Sequence, residues 1–299
     1  CIFLNLELWN IFPYQFAVKS FYILFYFDIL MYKARILMSL LFSKTPNYHG
    51  RSFLKSRIEG LEYSILFSFV ENSKKAIRYR TTKEEQRLLI HHWGRMATIV
   101  DDLQDENKVL ISYSQLKDLW KNQNELPNSP LIKDLAESIN FIRDRVSRTD
   151  NSNNFLICLS DIMESQKIDV NLEDKLVEES LRKSEKKGAA FLLALVYLLD
   201  PIGLDQRIVK AVSLGGAWGQ CIDDFADFEK DRELGIPTVF SLSNNPRLIF
   251  YNLSNKYKMQ IRETSGRKDF IIPFAEDLMF LAKLAHLPLL KDIYRILNK

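Results

Sequence analysis

Apolar residues recur at three-to-four spacing through ten stretches of the chain: Arg51 to Arg78, Lys83 to Gln104, Ser114 to Asn122, Leu131 to Arg148, Phe155 to Gln166, Leu172 to Leu198, Asp205 to Asp231, Pro246 to Ile261, Asp269 to Ala285 and Pro288 to Leu297. That period lays apolar side chains along one face of a helix. The stretches are separated by clusters of Pro, Gly, Asn and Ser at Ser43 to Gly50, Asn124 to Pro130, Asp150 to Asn154, Pro201 to Gly203, Ser243 to Pro246 and Thr264 to Lys268, which read as loops. The pattern predicts about ten helices and no strands. No period typical of a solenoid repeats along the chain. Ala189 to Leu199 is apolar all round, bounded by Lys186, Lys187 and Asp200. A helix without a polar face is expected to be buried on every side, and this one is too short to span a bilayer.

Composition narrows the class. Ten glycines and nine prolines in 299 residues fall below the usual shares of about 7% and about 5% and leave few turn formers, which favours an all-α fold. The length suits one core, so a single domain over 31–299 is expected. The 41 basic and 38 acidic residues are scattered rather than striped, and no nucleic-acid partner is implied. Cys1, Cys158 and Cys221 are far apart and odd in number, which fits a reducing, cytoplasmic compartment better than a disulfide framework. His91 and His92 are adjacent, hence diverge on a helix, and read as packing or surface residues.

Residues 1–30 differ from the rest, with an aromatic run from Phe21 to Phe27 interrupted on its flanks by Pro13, Gln15, Lys19 and Asp28. No stretch there reaches the roughly 18 clean apolar residues of a spanning helix. Three readings stand: a fragment or over-extended start preceding Met31, an extra helix packed on the core, or a peripheral membrane anchor.

The candidate chemistry lies in two acidic clusters of identical pattern, Asp101-Asp102-Leu103-Gln104-Asp105 and Asp223-Asp224-Phe225-Ala226-Asp227. In each, the first and last aspartates stand one helical turn apart on one face and can grip a cation together. Asp231 extends the second series by a further turn. Such a stack is repulsive on a bare helix. Two facing clusters would form an oxygen-lined site for a hard cation such as Mg²⁺. Gly215, Gly216 and Gly219 open the helix that bears the second cluster and permit close helix contact or room for a ligand.

These clusters, with the residues ordered between them, resemble the class I isoprenoid synthases and within them the polyprenyl synthetase branch. Glu164-Ser165-Gln166-Lys167-Ile168-Asp169 is similar to that family's G-Q-x-x-D segment, with Ser165 for the glycine. Lys187-Gly188-Ala189-Ala190 sits where the family has its diphosphate-binding lysine, and Gly215 to Asp227 is similar to G-x-x-x-x-Q-x-x-D-D-x-x-D, including Gln220. The resemblance covers about His91 to Thr238. It implies a helical bundle around a central cavity with the two Asp-rich helices facing each other. It also implies Mg²⁺, typically three ions with Mn²⁺ as a substitute, held by Asp101, Asp102, Asp105, Asp223, Asp224 and Asp227, and a substrate diphosphate bound by Lys187, Gln166, Gln220 and Arg182, with Lys186 as a further candidate. The reaction implied is ionisation of an allylic prenyl diphosphate with loss of pyrophosphate, inside an apolar pocket for which Phe67, Phe69, Trp93, Phe191 and Trp218 are candidate walls, and Met96 and Ala97 a candidate floor in elongating relatives. A homodimer is usual in that branch.

The chain departs from elongating members at one point. Their arginine pair after the first cluster is replaced by Glu106-Asn107-Lys108, and His49-Gly50-Arg51 with Lys55 and Arg57 is only a loose substitute for their site for isopentenyl diphosphate. This favours a terpene synthase, which needs one diphosphate, over the alternative of a chain-elongating prenyltransferase. A non-catalytic helical subunit of a hetero-oligomeric synthase is the alternative from another class. Tyr294-Arg295, Arg262 and Arg267 are candidates to close over the diphosphate.

Overall fold

The structure, a computed structural model, describes residues 63, 65–105, 120–121, 130–165, 176–265 and 270–285, with backbone alone for 101–105, 130–131, 265 and 280–285. The description is almost wholly helical. After a helical stretch over 65–73 come β1 (Arg78–Tyr79), α1 (Lys83–Asp105), α2 (Pro130–Val146), α3 (Ser152–Ser165), α4 (Leu176–Leu198), β2 (Pro201–Ile202), α5 (Gln206–Ala226), α6 (Phe228–Leu234), α7 (Pro246–Ser265) and α8 (Ile271–Ala285).

Local chemistry explains where the helices start and stop. At the head of α1, Thr82 N–H donates to Glu85 Oε2 at 2.7 Å and Glu85 N–H returns a bond to Thr82 Oγ1 at 3.3 Å, a reciprocal capping box. Asp205 caps α5 by accepting from Arg207 N–H at 2.7 Å. Asn245 accepts from Leu248 N–H at 3.2 Å and is followed by Pro246, whose fixed φ suits a first helical position. Gly235, at φ 71°, ends α6 in the left-handed conformation that glycine adopts without strain.

The order of packing is built around α5, which lies against α4, α7 and α8, while α4 also packs on α3 and α1 on α2. One hydrophobic cluster joins these helices, with Phe69, Trp93, Phe155, Trp218, Phe240 and Tyr257 among its fully buried side chains. At the α4–α5 crossing the two backbones come into direct contact. A Cβ placed on Gly188 would sit 2.2 Å from Gly216 O, and one on Gly216 would sit 2.1 Å from Gly188 O, so only hydrogen fits at either position.

Three expectations are corrected. A two-residue antiparallel bridge pairs Arg78 with Ile202 and Tyr79 with Pro201, where no strand was expected. It forms because Asp200, at φ 56°, turns the chain sharply after α4 and its carboxylate accepts from Asn151 Nδ2 at 2.8 Å and Arg80 Nη1 at 3.4 Å, drawing the two segments together. The helix expected from Asp205 to Asp231 is instead broken at Asp227, whose φ of −103° and ψ of 4° separate α5 from α6. The third concerns the apolar run of α4: Ala190, Leu192, Ala194, Leu195, Val196 and Leu198 are buried, but Ala189, Phe191, Leu193 and Tyr197 are only partly so, and of these four Phe191 borders an open space. No described helix is long and apolar enough to cross a membrane. The extension at 1–30 lies outside the described residues.

Candidate functional site

That space is a cavity of about 470 Å³ between the α1–α2 side and the α4–α5 side of the bundle. Its walls are mainly apolar: Met96, Ala97 and Val100 from α1, Ile139 from α2, Leu159, Ile162 and Met163 from α3, Phe191 and Leu192 from α4, and Phe274 and Leu278 from α8. Trp93 and Phe191 stack on each other in its wall, ring centroids 5.1 Å apart and 28° between planes. The polar lining comes chiefly from Lys187, Gln220 and Asp223, with Thr98 tied to its own helix through Gly94 O at 2.7 Å.

The glycine contact between α4 and α5 assembles this polar group. Lys187 immediately precedes Gly188, and Gln220 stands one turn beyond Gly216, so pressing the two backbones together carries the ammonium and the amide to the same cavity. One further turn along α5, Asp223 is exposed while Asp224 turns into the α4 interface and is buried. Both oxygens of Asp224 are engaged there: Ser184 Oγ donates to Oδ2 at 2.6 Å and Gln220 Nε2 to Oδ1 at 2.7 Å. Gln220 Nε2 also donates to Asp223 Oδ2 at 3.1 Å, so carboxylates take up both protons of its amide nitrogen. Burial raises the Asp224 carboxyl above its ordinary range, opposed by the bonds from Ser184 and Gln220 and by the Lys187 charge.

A second polar chain runs behind this one. Tyr257 donates from its hydroxyl to Glu185 Oε1 at 2.6 Å, and Lys256 Nζ lies 3.5 Å from the same oxygen. Burial raises the Tyr257 phenol and the neighbouring Cys221 thiol, and Cys158 is pushed up to about 12. Neither thiol has the electropositive, accessible setting of a reactive cysteine.

The remaining candidates sort by position. Lys186, one residue from Lys187 and hence rotated about 100° around the helix, pairs instead with Asp161 at 2.9 Å and Glu164 at 3.1 Å on α3. Arg182 is exposed and forked onto Glu179 at 2.7 and 2.8 Å, outside the cavity lining. Asp227 is exposed at the α5–α6 junction, and Asp231 is buried in α6. Of the aromatic candidates, Trp93 and Phe191 line the cavity. Phe69 packs on Phe270 and Phe274, Trp218 donates to Ser254 Oγ at 3.2 Å, and Phe67 lies under Lys83 and Arg87. Met96 and Ala97 both line the cavity, and Arg262 is exposed on α7 outside it. His92 stacks on Phe141 at 4.1 Å, and burial and its charged neighbours lower it to about 4, as suits a packing residue.

The backbone of α1 continues as helix through Asp105, so Asp101 follows Ala97 by one turn and Asp102 follows Thr98 by one turn; the side chains of Asp101, Asp102 and Asp105 lie outside the described residues. So do Gln166, Asp169, Arg267, Tyr294, Arg295 and the early basic residues from His49 to Arg57. Among the described residues no three His, Cys, Asp or Glu side chains converge as a metal site. Asp223 and Asp227 supply oxygens of the kind a hard cation takes, whereas Asp224 has both of its oxygens turned into the protein.

Sequence reasoning missed Ser184, which carries no motif signal beyond standing one turn before Gly188. It also missed the contribution of α3, whose Leu159, Ile162 and Met163 read as ordinary apolar periodicity. No family model matches the chain, nor does any curated protein or solved structure.

Proposed function

We propose that the protein is a Mg²⁺-dependent enzyme of the class I isoprenoid synthase type, which ionises an allylic prenyl diphosphate with release of pyrophosphate and acts as a terpene synthase rather than as a chain-elongating prenyltransferase. The observation that carries the reading is the joining of Lys187, Gln220 and Asp223 to an otherwise mainly apolar cavity of about 470 Å³. A substrate with a highly charged head and a hydrocarbon tail has that division of surface.

In this reading the head group lies against Lys187, whose ammonium meets a diphosphate oxygen directly, and beside the carboxylate pair of the two acidic helices. Asp223 and Asp227 from α5 and its junction, with Asp101, Asp102 and Asp105 from the end of α1, would hold the cation, and Mn²⁺ satisfies the same donors. The cation would supply charge neutralisation for the departing pyrophosphate. The tail lies against Met96, Phe191, Leu192 and Phe274. The stacked Trp93 and Phe191 keep water from the ionised tail and offer aromatic faces to positive charge. The preference for a single diphosphate rests on the sequence, where the basic residues for a second one are missing.

Purified protein incubated with geranyl, farnesyl and geranylgeranyl diphosphates and Mg²⁺, each with and without isopentenyl diphosphate, tests the proposal. Hydrocarbon or alcohol products from one substrate are expected. Longer diphosphates formed only with isopentenyl diphosphate would move the assignment to chain elongation. No turnover under any condition would reject both and leave a helical partner subunit.

A further inference from the structure

We infer that Asp224 is not a metal ligand but a positioning residue, a buried bracket between α4 and α5 that fixes the Gln220 side chain with its amide nitrogen held inward and its carbonyl oxygen presented to the ligand. The inference rests on the diphosphate reading for its catalytic consequence and on geometry alone for the bracket itself.

The geometry separates the two adjacent aspartates. Asp223 is exposed beside the cavity, whereas Asp224 is 9% exposed and spends Oδ2 on Ser184 and Oδ1 on Gln220 at 2.6 and 2.7 Å. Each oxygen of Asp224 takes a short hydrogen bond inside the helix interface, and the buried carboxylate, unlike that of Asp223, is not part of the cavity lining where a hard cation would be met. The same bond that occupies Asp224 orients Gln220. Its Nε2 has two protons, and they go to Asp224 and Asp223, the latter at 3.1 Å. The nitrogen is therefore the inward end of the amide, an assignment dictated by two acceptor-only partners. What Gln220 can still offer is Oε1, an acceptor. An acceptor does not grip a phosphate oxygen; it suits a donor or a positive centre, such as cation-bound water or the ionised carbon of the substrate. Ser184 supplies the anchor from α4, and the Gly188–Gly216 contact keeps the two helices close enough for the bond to span them.

Asp224→Asn can keep both contacts, with its oxygen accepting from Gln220 and its amide donating to Ser184, whereas Asp224→Ala loses both. Nitrogen-15 NMR of the Gln220 side-chain amide in the protein alone is expected to show slow proton exchange in the wild type and in Asp224→Asn, and fast exchange in Asp224→Ala. Bulk-like exchange in the wild type would overturn the bracket. Calorimetric titration with Mg²⁺ and pyrophosphate is expected to leave the Kd of Asp224→Asn within about threefold of wild type and to weaken Asp223→Asn by about tenfold or more. Equal loss in the two variants would overturn the inference by making Asp224 a ligand. In turnover, Asp224→Ala is expected to lower kcat about tenfold with KM within about twofold, and to add less than about twofold in a Gln220→Ala background. Effects that multiply would overturn action through Gln220. A wild type that neither binds Mg²⁺ with pyrophosphate nor turns over any prenyl diphosphate would reject the proposed function, and the NMR result would then decide the bracket by itself.

Discussion

The two walls of the cavity are joined by opposite means. On one side α4 and α5 meet backbone to backbone at Gly188 and Gly216, with a bracket of neutral donors, Ser184 and Gln220, on a buried carboxylate. On the other, α1 and α2 are held through bulk and charge: His92 stacks on Phe141, His92 Nδ1 lies 3.3 Å from Ser138 Oγ, and the buried Arg95 pairs with Asp134 at 2.7 Å and Glu137 at 3.8 Å. Long side chains have several rotamers through which a misfit can be absorbed, whereas two touching backbones have none. The wall that carries Lys187, Gln220 and Asp223 is thus the one with the least freedom to shift.

The largest break in that contrast is expected from Gly188→Ala. The added carbon would meet a carbonyl oxygen at 2.2 Å, so the helices must part, at a cost of about 3 kcal/mol in urea denaturation. On the opposite wall, Arg95→Leu is expected to cost about 2 kcal/mol by the same measurement, because Asp134, itself 17% exposed, is left facing the interface without its main partner. Adding Asp134→Leu should recover most of that loss. If the double variant is as unstable as the single one, packing of the arginine stem rather than its charge holds the wall.

A third test uses pH. Folding lowers His92 from its ordinary 6.5 to about 4, through burial first and then through the His91 and Arg95 charges. The unfolded chain therefore takes up a proton that the folded chain refuses, and stability is lost as pH falls from about 6.5 towards about 4. After allowance for solvent around the half-buried ring, His92→Phe should remove about 1 kcal/mol of that fall. An unchanged pH profile of stability would place the loss elsewhere. The smallest effect belongs to Gly219→Ala on α5, where the new carbon would lie 3.2 Å from Leu278 Cδ1, the mobile tip of a side chain. A change under about 1 kcal/mol is expected, and a change as large as that at Gly188 would abolish the distinction between yielding and unyielding neighbours.

The helical segments were legible because their apolar period is long and punctuated. The Lys83 to Gln104 prediction differs from α1 by one residue at its end, and the Leu131 to Arg148 prediction overlaps α2 closely. The loop assigned to Asp150 through Asn154 fared less well: α3 starts at Ser152, after Phe155 N–H finds Asn151 O at 3.0 Å, since Ser and Asn serve helix starts as well as turns. The break at Asp227 had no signature. The four-residue hydrogen-bond step persists across it, from Asp227 N–H to Asp223 O and from Asp231 N–H to Asp227 O, so the acidic spacing looks continuous. The resemblance put Lys187 ahead of Lys186, but the physical reason that these adjacent lysines part, which neighbour each faces, is not written in the sequence. The different fates of Asp223 and Asp224 have the same origin.

The contact at Gly188 and Gly216 also bears on how this sequence can change over time. Most packed pairs drift by exchange, a larger residue on one side answered by a smaller one on the other. Here both partners already hold the smallest side chain there is, so enlargement at either position has no answering reduction at its mate. Related sequences that keep this crossing are therefore expected to hold both glycines fixed together while Leu192, Phe274 and the other cavity residues vary around them.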